Sequence, residues 1–331
     1  MKNEQFAYAQ QYFTGSKEHN VHVRSRALKL GYSLNEYALT PKDELVEPAP
    51  VLYTEQELYR FLGLDFVPPE LRENRGEIEA AEEGALPKLV ELENLRGTFH
   101  CHTTTSDGQH TLEEMASAAA DLGLSYLGIS DHSKAAFQAN GLSEERLLAQ
   151  IDAIRAYNAS PEAQIHLFAG NEVDILKDGS LDYDDEILAQ LDYVVASVHT
   201  SMQLNEAEMT ARVVKAMENP HVTMLGHATG RILLRRDPYA INLEKIIDCA
   251  VETNTVIELN CSSKRMDMDW RWWKYACDKG VKTSINTDAH SIEGFQTLPM
   301  GIKAARKGWL RREDVVNCLG LDEVKAWLGV E

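Results

Sequence analysis

Residues 98–108 read TFHCHTTTSDG. The stretch predicts a short strand ending in His100, Cys101 and His102, then a polar loop closed by Asp107 and Gly108. Side chains alternate across a strand, so His100 and His102 share a face and can grip one metal ion, while Cys101 faces the packed side. Asp107 can swing back from the loop towards a second ion. A lone His-x-His is weak evidence of a metal site. It gains weight here because similar strand ends recur along the chain.

From Leu95 onward strand-like runs alternate with helical ones. The strands are TFHCH, YLGISDH, HLFAGNEVDI, YVVASVH, VTMLGHA, VIELNC and KTSINTDAH. Between them lie LEEMASAAADLGL, SEERLLAQIDAIRAYNA, DEILAQL, EAEMTARVVKAMEN, LEKIIDCAVETN and DWRWWKYACDKG, each with helical character. Seven β-α units predict an α/β fold, a parallel barrel rather than an open sheet or a sandwich. In such barrels the chemistry sits at the C-terminal ends of the strands.

Those ends carry His100 and His102, Asp131 and His132, Glu172 and Asp174, His199, His227, and Asp288 and His290, which takes in six of the eleven histidines. Singly, a histidine after a strand is more often a hydrogen-bonded loop residue, and Asp131 is as much a cap as a ligand. Together they would crowd imidazoles and carboxylates into one barrel mouth, a costly arrangement unless cations are bound. Lys134, Arg231 and Arg265 follow strand-end motifs and are candidates to hold a substrate phosphate. Asn260 and Cys261 end the sixth strand with no evident ligand and are expected in a substrate wall. His19, His22, His110, His166 and His221 lie outside the pattern, and Trp270, Trp272 and Trp273 are expected to pack.

A chain of 331 residues suits a barrel-sized domain plus a smaller piece. Lys+Arg 33 against Asp+Glu 52 gives a formal charge of -19, which argues against a generic nucleic-acid-coating surface but permits a local phosphate site if metal ions supply positive charge. Five scattered cysteines without a CxxC pair predict reduced thiols and a cytoplasmic location. The N-terminus lacks a signal-peptide run, and no segment offers the roughly 18 apolar residues of a membrane helix, so no membrane partner is expected.

Ahead of the barrel, helices are predicted over Glu18–Leu30, capped by Gly31, and over Glu55–Leu62. A Pro- and charge-rich stretch between Arg75 and Leu95 marks the boundary, giving domains of 1–95 and 96–331. YFTGSKEHN, VRSRALKLGYSLNEYAL and LYRFLGLDFVPPELRENRGEIEAA resemble the thumb of a family X DNA polymerase core. The resemblance implies a small mixed α/β thumb-like subdomain, with Tyr12, Phe13 and Gly15 matching the segment beside the incoming nucleotide and Asn20 a residue touching the nascent pair. Packing of a small appendage is the plainer role for these residues. The polymerase palm has no counterpart in these 331 residues, so no polymerase activity is expected of this chain, and a separately encoded polymerase chain is an expected partner.

HCHTTTSDG, SDHS, GNEVDIL, DYVVASVH, GHATGR and NTDAH together resemble the PHP (polymerase and histidinol phosphatase) domain over Leu95 to Gly320. DGSLDYDDEILAQLDYVVASVH and the TGR segment are closest to the version attached to bacterial family X polymerases. The resemblance implies a distorted seven-stranded (β/α)7 barrel with three divalent ions, zinc, manganese or iron. It implies that His100, His102, Glu172 and Asp288 hold the first ion, that Glu172 bridges to a second completed by His199 and His227, and that Asp107, His132 and His290 hold the third. Glu172, His132 and Asp288 are the implied catalytic residues. Asp107 stands where some relatives have histidine, which favours a harder ion such as manganese. The family usually has a proline near Ser263, and its absence leaves the local loop shape open.

The implied activity is hydrolysis of DNA phosphodiesters by a metal-bridging hydroxide, as a 3′-5′ exonuclease in a DNA-repair setting. The alternatives are a small-molecule phosphatase of histidinol-phosphatase type and a non-catalytic module binding DNA or a polymerase chain.

Overall fold

A computed structural model describes residues 2–330, which divide into two compact units between Lys88 and Leu89.

The first unit holds four helices and a hairpin: α1 (Phe6–Thr14), α2 (Lys17–Lys29), β1 (Tyr32–Leu34), β2 (Leu39–Pro41), α3 (Glu55–Phe61) and α4 (Glu77–Glu83). Ser16 starts α2 because its hydroxyl accepts from the His19 amide at 3.1 Å, and Thr54 and Glu57 form a capping box on α3. Val23, Ala27, Leu58, Tyr59, Leu71 and Ile78 are buried. His19 lies between Glu77 (2.7 Å) and the Tyr59 hydroxyl (2.8 Å), so it is a structural residue of this small core. Asn20, matched by resemblance to a nucleotide-contacting residue, is buried; its amide donates to the Tyr12 carbonyl at 2.8 Å and accepts from Gln11 at 2.9 Å.

The second unit runs β3 (Gly97–Thr98), α5 (Leu112–Asp121), β4 (Tyr126–Ile129), α6 (Glu144–Ala159), β5 (His166–Asp174), α7 (Asp185–Leu188), β6 (Tyr193–Ser197), α8 (Glu206–Met217), β7 (Met224–Leu225), α9 (Leu243–Thr253), β8 (Val256–Asn260), α10 (Trp273–Asp278), β9 (Thr283–Asn286), α11 (Leu298–Lys307) and α12 (Leu321–Leu328). The seven strands pair in parallel in simple sequence order. The ring closes where β3 and β9 run on: Cys101 bridges Ala289, and the His102 amide donates to the Ala289 carbonyl at 2.8 Å. The fold is a seven-stranded, nearly closed parallel barrel wrapped in helices. Among the described residues no helix is long and apolar enough to cross a membrane.

Alternation along each strand builds two cores. On β6, Val194 and Ala196 face the helices, while Tyr193 and Val195 fill the barrel with Phe99, Tyr126, Phe168, Met224 and Val256. Gly128 and Gly170 make room there, since a Cβ at either would overlap the Tyr193 ring. The Tyr193 hydroxyl points at the Phe99 and Ile129 carbonyls. Leu321, Trp327 and Leu328 of α12 pack against this inner cluster.

The division falls at Lys88/Leu89 rather than at 95/96. Leu89 bridges Arg311, the Val90 amide donates to Leu310 at 3.0 Å, and Leu95 is buried in the outer core, so these residues belong with the barrel. Helices α11 and α12 were not anticipated from sequence.

Candidate metal centre

Above the inner apolar cluster the inward positions turn polar. Two residues beyond Val195 comes Ser197 and then His199; beyond Val256 come Glu258 and Asn260; beyond Phe168 come Gly170, Glu172 and Asp174. The strand parity that places aromatics at the floor therefore places ligands at the mouth.

Glu172, on β5, is the hub. Its Oε1 lies 2.8 Å from His227 Nε2, 3.3 Å from His199 Nε2 and 3.4 Å from His100 Nε2; its Oε2 lies 2.9 Å from His132 Nδ1 and 3.7 Å from His102 Nε2. Asp288 Oδ1 faces His102 Nε2 (3.2 Å), His100 Nε2 (3.7 Å) and His290 Nδ1 (3.7 Å). Asp107 Oδ1 faces His290 Nε2 (3.4 Å), His132 Nε2 (3.6 Å) and His102 Nδ1 (3.9 Å). All nine residues named as ligands thus converge. Three sets bring donor atoms within 4.8 Å of one another: His102, Asp107, His132 and His290; His100, His102 and Asp288; and His132, Glu172 and His199. His102 and His132 each join two of these sets, a sharing that strand-end order alone does not show. His227 and Asp288 hold φ values of 23° and 52°, in a region non-glycine residues seldom adopt, as strained positions at functional sites often do.

Beneath the hub lies a residue not anticipated from sequence. Glu258 is fully buried, with Oε1 2.6 Å from His100 Nδ1 and Oε2 accepting from the His227 backbone amide at 2.7 Å. Asn286 and Asn260 donate to it at 3.0 and 3.2 Å. It fixes the tautomer and tilt of His100 and the backbone that carries His227. A carboxylate at an inward position of the apolar run VIELNC was the available signal. Asn260, expected in a substrate wall, also donates to Asp288 at 3.1 Å and so belongs to this support; Cys261 is buried in the outer core. Asp131 accepts from the Thr103 and Ser106 amides at 2.8 and 3.2 Å and from Gln150, so it shapes the 103–106 loop instead of facing the ligands. Asp174 lies 3.2 Å from His199 Nδ1 and orients that ring.

Electrostatics follow from burial against crowding. Burial disfavours charge on His100, yet Glu258, Glu172 and Asp288 outweigh it and hold its pKa well above the ordinary value. The same competition lifts His199 to about 10 and His290 to about 9. His102 goes the other way, to about 4, because burial is reinforced by His132 and His290. Burial works against ionisation of Glu172 and Asp288, but the surrounding imidazoles keep both well below the carboxylate range.

The donor set fits divalent cations. His100 Nε2, both ring nitrogens of His102, His132 Nδ1 and Glu172 Oε2 are buried without a hydrogen-bond partner. Buried polar groups normally find partners, so a cluster of orphans aimed at one space calls for cations there. The mixture of imidazole and carboxylate suits zinc, manganese or iron.

The three phosphate candidates separate. Lys134 pairs with Glu144 at 2.9 Å on the surface. Arg231 is committed to Asp269 at 2.9 Å and to the Arg265 and Met266 carbonyls, so it ties two loops together and is not free for a phosphate. Arg265 reaches the centre: its Nε donates to Asp288 at 3.2 Å, and its Nη1 is buried without a partner.

Residues 98–262 match the PHP domain family and residues 9–73 the DNA polymerase beta thumb. The chain is 40% identical over 327 residues to the DNA polymerase/3′-5′ exonuclease PolX of Bacillus subtilis, an alignment taking in 98% of this chain and 56% of that protein. A probable phosphatase of Clostridium acetobutylicum is 29% identical over 204 residues, 58% of this chain and 78% of that protein. Among solved structures, the zinc-, L-histidinol- and phosphate-bound histidinol phosphate phosphatase of Lactococcus lactis matches with 16% identity and a TM-score of 0.44, over 62% of this chain and 93% of that one. The chain carries a PHP domain over residues 98–262, preceded by a DNA polymerase beta thumb over residues 9–73.

Proposed function

We propose that this chain is a metal-dependent phosphoesterase that hydrolyses DNA phosphodiesters from the 3′ end. The observation that carries the reading is the convergence of nine ligand-type side chains in one buried barrel mouth, five of its histidines around Glu172, with a buried guanidinium nitrogen of Arg265 unpartnered beside them. The similarity to the Bacillus subtilis PolX, named as a polymerase and 3′-5′ exonuclease, supports DNA as the substrate.

His100, His102, Glu172 and Asp288 would hold one divalent ion, Glu172, His199 and His227 a second, and Asp107, His132 and His290 a third. Such ions, when bound, acidify water and clamp phosphoryl oxygens for in-line attack. The chain supplies the rest. Glu258 and Asp174 fix the His100 and His199 rings by their Nδ1 atoms, leaving Nε2 of each directed at Glu172. Arg265 is placed to take a non-bridging oxygen of the scissile phosphate through its unpartnered Nη1. His132 and His290 face Asp107 Oδ1 at 3.6 and 3.4 Å and so keep the set that would hold the third ion together.

A second reading, a phosphatase for a small phosphomonoester, is favoured by the formal charge of -19, which repels a long polyanion, and by the likeness to a probable phosphatase. The deciding experiment is manganese-dependent digestion of a 5′-labelled single-stranded oligonucleotide, with histidinol phosphate in parallel and Glu172→Ala as control. A ladder of shortening products that disappears in the variant is expected. An intact oligonucleotide with phosphate released from the monoester would overturn the nuclease reading in favour of the phosphatase; no turnover of either by metal-loaded protein would point to a binding module.

A further inference from the structure

Beside the metal centre, and outside its ligand set, the chain carries a basic loop. The sequence RILLRR at 231–236 and the facing SSKRM at 262–266 hold five cations, Arg231, Arg235, Arg236, Lys264 and Arg265, with no Asp or Glu in either stretch, in a chain of formal charge -19. Hydrogen bonds join the two stretches: the Leu233 amide donates to the Lys264 carbonyl at 2.7 Å, and Arg231 Nε donates to the Arg265 carbonyl at 2.9 Å. Arg236 donates to the Gly230 carbonyl at 2.7 Å. Arg265 in turn touches Asp288. Arg231 and Arg265 are paired with Asp269 and Asp288 and Asp237 follows directly, so among the described residues the cations without a carboxylate partner are those at the loop tip, Arg235, Arg236 and Lys264.

The tip is built for contact with something outside the chain. Arg235 and Lys264 are exposed and have no carboxylate partner among the described residues. Leu234 is fully exposed at 107% with a left-handed φ of 62°, and Leu233 beside it is also exposed. An aliphatic side chain held out in a conformation that β-carbons disfavour is poorly explained by folding alone. The residues 231–238 border a recess of about 450 Å³.

We propose that this loop is a binding site for the sugar-phosphate backbone of single-stranded DNA, next to the scissile position. Arg235 and Lys264 take phosphates upstream of the one being hydrolysed, and Leu233 and Leu234 offer an apolar surface to the bases. The site rests on the nuclease reading above and deepens it. It supplies the local positive field that an acidic protein needs to hold a polyanion, and it gives the metal centre a means of preferring a strand over a small ester.

The test uses the full chain and the double variant Arg235→Ala/Lys264→Ala. Binding of a fluorescein-labelled 12-nucleotide single strand is followed by anisotropy across a salt series. Manganese-dependent turnover of thymidine 5′-monophosphate p-nitrophenyl ester, which has no second phosphate to reach the loop, reports on the centre. Loss of two phosphate contacts is expected to raise Kd about tenfold at low salt and to flatten the log–log salt slope by about 1.4 for a single strand, while the small ester turns over as before. Arg235→Lys/Lys264→Arg should restore both the affinity and the slope. An unchanged Kd and slope, or a parent protein that does not bind the strand, would overturn the proposal. Binding of the strand through the loop without shortening of it would instead overturn the nuclease reading and leave the site standing.

Discussion

At the scale of single residues, the candidate ligands that converge in the mouth were legible because they sit at strand ends, where polar residues interrupt apolar runs. Glu258 was not, because a carboxylate inside VIELNC looks like a strand residue until the barrel closes and places it under His100. Arg231 and Arg265 both follow strand-end motifs, the first being the stronger phosphate candidate in sequence, and only the fold shows that Arg231 spends its donors on backbone and Asp269 while Arg265 meets Asp288. Outer partners of metal-bound histidines commonly change affinity or activity about 10–100-fold when removed. Glu258→Gln should therefore lower activity by about that factor at limiting manganese and recover partly at saturating metal, as read by activity against manganese concentration with metal content measured alongside. Unaltered activity throughout that titration would remove Glu258 from the supporting role.

In the first unit Glu77 supports a pH prediction. Burial opposes its ionisation, but His19 and the amides of Asn74 and Arg75 overcome this and hold its pKa below the ordinary 4.5. A folded-state pKa below the unfolded one means stabilisation present above the unfolded value and lost as pH falls through the folded value. Hydrogen bonds to a charged group contribute about 1.5–3 kcal/mol each, so Glu77→Gln should speed amide exchange in α2 at pH 7. The gap from the parent should narrow as pH falls below the ordinary 4.5 and on through the lowered folded-state value, where the parent carboxylate takes up its proton. A gap that is constant from pH 7 to pH 3 would count against the charged pairing.

At the scale of elements, the seven strands and the six helices between them follow directly from alternating parity and helical periodicity. β3 and β7 are only two residues long, because the chain leaves regular pairing to aim His100 and His102, and His227, into the mouth. α12 escaped notice because its role is to pack against the barrel's inner cluster, which is a property of the closed ring and not of its own pattern. The barrel interior is filled by Tyr193 only because Gly128 and Gly170 yield the space. Gly170→Ala should destabilise the protein by about 1–3 kcal/mol, the usual range for overpacking, and a smaller ring-free side chain at 193 should relieve part of it. Comparing thermal unfolding of Gly170→Ala in the parent and in a Tyr193→Leu background tests this. Equal penalties in both would mean that the two positions do not compete for the same space.

For the whole molecule, the acidic balance has a local origin as well as a global one. Glu172, Asp288, Asp107 and Glu258 gather in one mouth, and the imidazoles around them compensate only when protonated. Cations that bind the folded mouth and not the unfolded chain add stability by mass action, about 2.7 kcal/mol at a hundredfold excess over Kd. Because all candidate ligands lie in residues 89–331, this gain should be confined to the second unit. Chelation should therefore lower the unfolding temperature of the barrel, and added manganese should raise it with the logarithm of its concentration. Amide exchange in α2 of the first unit should stay constant throughout. In Glu172→Ala the dependence on manganese should shrink, since the hub touches five of the six histidines at the mouth. An undiminished manganese response in that variant would mean that the cations stabilising the barrel bind away from Glu172.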